Sequence, residues 1–111
     1  MQHEDVFEQA RILLDTKLSE LKVRGFSRLV LLADREESEH VDFGRILLRF
    51  SSRAQVQEDG TLAVLTEARH VRFFRKSDVT ALGFYVTREN AVSDMTGDDL
   101  ERFGYKGLSE N

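Results

Sequence analysis

The residues of this chain most capable of metal or acid–base chemistry are its three histidines, His3, His40 and His70, and their spacing gives them no common task. No HxH or HExxH pattern places two of them on one metal, and no serine stands in a nucleophile-elbow context. Cysteine is absent, which removes disulfides, thiolate catalysis and cysteine-based zinc sites. No glycine-rich phosphate loop is present either. His40 has the richest surroundings, with Glu36, Glu37, Glu39 and Asp42 close in sequence to raise its pKa or to offer hard oxygen ligands to a cation. A solvated hairpin loop is the simpler reading of that cluster. The expectation is a chain that is not an enzyme and that needs no metal and no cofactor.

Two other groupings carry chemistry of recognition. Residues 69–76 read Arg-His-Val-Arg-Phe-Phe-Arg-Lys, in which Arg69, His70, Arg72, Phe74, Arg75 and Lys76 combine phosphate-holding cations with rings able to stack on exposed bases. The plainer alternative for this stretch is a strand with Val71 and Phe73 in the core and His70 and Arg72 outward. Arg24, Gly25 and Phe26 match the first three positions of the aromatic strand pattern of RNA-recognition domains, but Ser27, Arg28 and Leu29 depart from it. The second grouping is acidic. Asp94, Asp98, Asp99 and Glu101 lie within eight residues of one another and are followed by the aromatic pair Phe103 and Tyr105. Asp98 and Asp99 also suit the first turn of a helix, where the dipole favours negative charge. The aromatic pair either docks on the protein's own sheet or stays available as interface anchors.

The charge distribution sharpens this contrast. The net charge of −4 comes almost wholly from residues 77–111, which hold seven acids against three bases; residues 25–76 hold eight acids and nine bases. Twelve of the sixteen bases are arginine, the side chain favoured for planar pairing at interfaces and on nucleic acid. Overall acidity opposes polyanion binding unless a basic patch is strongly local.

Elements to position these groups follow from periodicity. In residues 5–24, Val6, Phe7, Ala10, Leu13, Leu14, Leu18 and Leu21 recur at intervals of three and four, an amphipathic helix ended by Gly25. Residues 28–33 are leucine-rich and β-branched and predict a strand, and residues 34–40 predict a polar loop that joins it to the next strand as a hairpin. Residues 41–50 predict a central strand, with Ile46, Leu48 and Phe50 on one face and Val41, Phe43, Leu47, Arg45 and Arg49 on the other. Leu13, Leu14, Leu18 and Leu21 are expected to pack on Ile46, Leu48 or Phe50. Residues 51–57 continue the strand to a two-residue turn at Asp59-Gly60. Strands are then expected at residues 61–66, 70–75 and 79–87, with a turn at 76–78; a helix over 78–86 competes and is weakened by Gly83. Thr96 is an N-cap for a short helix reaching Gly104, and the last residues are expected to fray.

The expected architecture is a single α+β domain over residues 1–111. A long N-terminal amphipathic helix packs on a four- to five-stranded, mainly antiparallel sheet, with a short C-terminal helix. The longest apolar run, residues 29–33, is too short to span a bilayer, and no signal-peptide pattern opens the chain, so a cytoplasmic protein without membrane contact is expected. The function expected is a non-catalytic protein-binding module that captures a basic partner, of the immunity-protein, toxin-inhibitor or secretion-chaperone type. Single-stranded RNA binding through the arginine and aromatic strands is the alternative, and a small enzyme with an unrecognised site a second one. A homodimer through an open strand edge or sheet face is compatible with all three.

Overall fold

A computed structural model describes residues 3–43, 46–70 and 79–105, with side chains from Glu8 onward and without those of Phe43 and Ile46. The chain runs α1 (His3–Lys22), α2 (Phe26–Leu29), a 3-10 segment (Val30–Ala33), β1 (Glu37–Phe43), β2 (Ile46–Val56), β3 (Leu62–His70), β4 (Val79–Val86), β5 (Val92–Asp94) and α3 (Gly97–Arg102). The strands form one antiparallel meander in the order β1-β2-β3-β4-β5. The fold is therefore α+β, as the sequence predicts.

The first helix forms and stops where its pattern says. Ala10, Leu14 and Leu21 are buried along one stripe, and Gly25 follows with a φ of 82°, a left-handed value that suits glycine. The stripe is narrower than expected: Leu18 is only half-buried and Leu13 is 39% exposed. Leu14 meets Leu48, Phe50 and Ala68, with Val41 at the margin, whereas Leu21 meets Leu29, Leu32, Leu62, Val64, Phe84 and Val86. Whether Ile46 joins them lies outside the described side chains.

Three expected elements are corrected. Residues 28–33 are helical, because Leu29 and Leu32 face the core three residues apart and a strand would have needed alternation. A short unbroken apolar run fits either state, and here the period of its buried members decides. The expected loop at residues 34–40 gives way to β1, which pairs with β2 in the register Glu37 to Ser52 through Phe43 to Ile46. Such a polar sequence can be a strand because it lies at the sheet edge, where charge also discourages pairing with foreign strands. Glu37 is held there by Arg24 at 3.0 Å and Lys17 at 3.7 Å, and the Arg24 hydrogen bond keeps its carboxyl below the usual carboxylate range. Residues 41–50 are thus not one central strand; they close β1 and open β2, and Val41 shares a face with Leu48.

Beyond that point the agreement improves, with two further corrections. The β2–β3 connection is longer than a two-residue turn: the Gln57 N–H donates to the Thr61 carbonyl at 2.8 Å and the Gly60 N–H to the Gln57 carbonyl at 3.0 Å, with Gly60 at φ 89°. That is a three-residue hairpin loop with a glycine bulge. Residues 62–70 then form a single strand, where two had been expected, at 61–66 and 70–75. Residues 71–75 and the expected turn at 76–78 lie outside the described residues, as do the residues after Tyr105. Residues 79–86 are a strand and not a helix. Gly83 stands in it because a Cβ there would sit 2.5 Å from Met95 Sδ and 2.9 Å from the Val64 carbonyl oxygen.

Helix α1, α2 and the 3-10 segment cover one face of the sheet, and α3 with its C-terminal extension covers part of the other, where Leu100 and Tyr105 pack on Leu65 and Ala81. Among the buried polar groups on the α1 side, the hydroxyls of Ser52 and Thr66 pair across β2 and β3 at 3.1 Å. No described helix is long and apolar enough to cross a membrane.

Candidate functional site

The acidic C-terminal segment is placed by a fully formed helix start. The Asp99 N–H donates to Thr96 Oγ1 at 3.2 Å, and the Thr96 N–H donates to Asp99 Oδ2 at 2.9 Å, a reciprocal capping box. The Thr96 backbone bond, helped by the Thr96 hydroxyl, the Tyr85 hydroxyl and the Arg102 guanidinium, holds the Asp99 carboxyl below its usual range. Asp99 is therefore a structural carboxylate. Asp94 is exposed and pairs with Lys22 at 2.6 Å, while Asp98 and Glu101 project to solvent from α3.

The two aromatic residues sit on the protein's own sheet. Tyr105 is 8% exposed in the cluster with Leu65, Ala81 and Leu100, and Phe103 packs half-buried beside it. The Tyr105 hydroxyl donates to Glu67 Oε1 at 2.6 Å, and the Arg53 guanidinium donates to the Tyr105 oxygen and to the Phe103 carbonyl, each at 3.4 Å. Burial, with the Glu67 bond adding to it, raises the Tyr105 pKa. The folded state then holds that proton more tightly than the unfolded state, so this contribution to stability is complete below the ordinary tyrosine value of about 10 and declines as pH rises from there. Tyr105→Phe is expected to flatten the alkaline fall of unfolding free energy above about pH 10. An unchanged slope in denaturant titrations across that range would place the hydroxyl in water.

One feature of this region was not visible in the sequence. The β2–β3 loop carries Glu58 and Asp59 to the same end of the sheet as α3, and together they border an open recess of about 700 Å³. Tyr85, Asp99, Arg102 and Gln55 also line it. The Asp59 carboxylate caps its own turn, accepting from the Thr61 N–H at 3.0 Å and the Thr61 hydroxyl at 2.6 Å, whereas Glu58 projects to solvent. Val56, 52% exposed, adds an apolar shoulder. Such a recess offers carboxylate acceptors and an aromatic wall to a cationic side chain.

The basic residues are arranged differently. On the outer sheet face His40 stands opposite Arg49, and Arg49 opposite Arg69, which makes a row across three strands. Arg49 is paired with Glu36 at 3.4 Å and Arg69 with Glu67 at 3.2 Å. His40 is an exposed strand residue and not part of a loop. His70 is buried, where the plainer reading of residues 69–76 had it outward, because β3 runs unbroken to it. Arg69 and His70 consequently face opposite sides of the sheet. Arg72, Phe74, Arg75 and Lys76 lie outside the described residues. Among the described residues no three histidine or carboxylate side chains lie close enough together to hold a metal ion. Compared with models of known protein families, with curated proteins and with solved structures, the chain matches none.

Proposed function

We propose that this chain is a non-catalytic protein-binding module, comparable in kind to immunity proteins, toxin inhibitors or secretion chaperones, that captures a basic partner at the recess between α3 and the β2–β3 loop. The supporting observation is the convergence there of acids distant in sequence, Glu58 and Asp59 with Asp99, beside Arg102; Asp98 and Glu101 are carried on the same short helix and add to the negative field of that end. Complementary charge of this kind accelerates encounter and rejects wrong partners. With Tyr105 packed inward, the apolar part of the contact falls to Val56 and the half-buried Tyr85 that line the recess, in place of the expected anchors.

The RNA alternative draws support from the row of His40, Arg49 and Arg69. Ion pairs to Glu36 and Glu67 already engage both arginines, so an incoming phosphate must compete for them. The test is an affinity pull-down at low salt from the native cells, run side by side with the wild type and with Asp98→Lys/Glu101→Lys, with retained proteins and nucleic acids both analysed. A basic protein held by the wild type and lost by the variant supports the proposal. RNA retained equally by both would replace it with the alternative.

A further inference from the structure

The helical fold of residues 28–33, which the sequence had suggested was extended, creates a second surface. Arg28, Leu31 and Arg35 are spaced by three and four residues; the Arg35 N–H donates to the Leu31 carbonyl at 3.2 Å, which carries the helical path through Arg35. All three are exposed, Leu31 at 64%, and they line an open groove of about 560 Å³ together with Arg24, Glu36 and Glu37.

The charges of this groove do not cancel. Glu37 is taken by Arg24 at 3.0 Å and by Lys17 at 3.7 Å, and Glu36 by Arg49 at 3.4 Å. The Arg28 and Arg35 guanidiniums have no ion-pair or hydrogen-bond partner among the described residues, and between them the Leu31 side chain is left in water. Two unpaired guanidiniums beside an exposed leucine suit an acidic partner: arginine is enriched among the residues that dominate interface energy and supplies forked pairing with carboxylates, and the leucine supplies apolar area to bury. We infer that this groove is a docking site for an acidic segment of a partner protein that also carries a leucine-sized side chain.

A carboxylate peptide suits the groove better than inorganic phosphate does, because a bare anion leaves Leu31 uncovered. The groove lies on the α1 side of the sheet, whereas the acidic recess is bordered by α3 on the opposite side, so the two sites are separable.

The test uses a short fluorescein-labelled peptide of glutamate and leucine, followed by anisotropy against the full chain. The same peptide with lysine in place of glutamate, inorganic phosphate and a mixed-sequence oligoribonucleotide serve as competitors. The wild type is expected to bind the acidic peptide saturably, with Arg28→Glu/Arg35→Glu weakening it by about tenfold or more and Leu31→Ser also weakening it. Asp98→Lys/Glu101→Lys is expected to leave it unchanged, which separates this site from the proposed partner recess. Should the arginine variant fail to fold, Leu31→Ser carries the test, since that side chain is exposed. Absence of saturable binding, equal binding by the variants, or displacement by the oligoribonucleotide or phosphate at lower concentration than by unlabelled peptide would overturn the inference. Self-association of the wild type in sedimentation, abolished by Arg28→Glu/Arg35→Glu, would assign the groove to a second copy and overturn it too.

Discussion

Phe84→Ala is expected to lower the unfolding free energy by about 3–5 kcal/mol, the largest loss of any single truncation among the described residues. The ring has no exposed surface and is the largest of the fully buried side chains among the described residues. It is packed among Leu21 of α1, Leu29 of α2, Leu32 of the 3-10 segment, and Leu62, Val64 and Val86 of the sheet. Alanine there leaves a cavity bounded by every layer on that side of the sheet, and β-strand backbone cannot collapse far to fill it. Lys22 also loses a ring that lies 5.9 Å from its ammonium. Guanidinium titration monitored by far-UV circular dichroism measures the effect. A loss below about 1 kcal/mol would show that α2 and the 3-10 segment do not cover β3 and β4 as described.

Leu14→Ala is expected to cost about 2–5 kcal/mol by the same mechanism in a different place. Its neighbours are Ala10, Leu48, Phe50 and Ala68, none of which belongs to the cluster around Phe84. Because the two clusters share no residue, the losses should add when the substitutions are combined. Total stabilities of small domains are about 5–15 kcal/mol, so the double variant is expected to be largely unfolded at room temperature. A double variant no less stable than Phe84→Ala alone would mean that α1 is not seated on β2.

Helix α1 was legible because its period is long and its stop is a glycine with left-handed backbone, and α3 because Thr96 and Asp99 are a local pair whose chemistry needs no tertiary context. The region between residues 28 and 50 was not. An apolar run whose buried members are Leu29 and Leu32 has the same composition as a buried strand, and Glu37 looks like loop until Arg24 and Lys17, brought from elsewhere, neutralise it. Composition reports what a residue prefers when isolated, whereas β1 exists through pairing with β2.

One of these errors also concealed the recess. Breaking β3 into two adds a strand between the Asp59 turn and residues 79–87, which reverses the direction of those residues and sends α3 to the end of the sheet opposite Glu58 and Asp59. With β3 unbroken, β4 ends at Val86 beside Leu62, and β5 pairs only with Phe84, Tyr85 and Val86, so α3 stays near the end that carries the β2–β3 loop. The acids of α3 could be read from sequence, but their companions could be found only from the strand pairing. The inward packing of Tyr105 was left open for a similar reason: its partners Glu67 and Arg53 come from β3 and β2, dozens of residues away.

The claim that this acidic end receives a basic partner is tested most directly by association kinetics. Once the partner retained in the pull-down is purified, its association rate is measured by stopped flow against the wild type and Asp98→Lys/Glu101→Lys over a range of ionic strength. Both altered side chains are exposed on α3, and the capping box and the buried Leu100 are untouched, so the fold should survive. The wild-type rate is expected to fall steeply with salt, and the variant to associate at least about tenfold more slowly at low salt with a flattened salt dependence. Equal rates and equal salt dependence for the two proteins would contradict the account and move the contact away from α3.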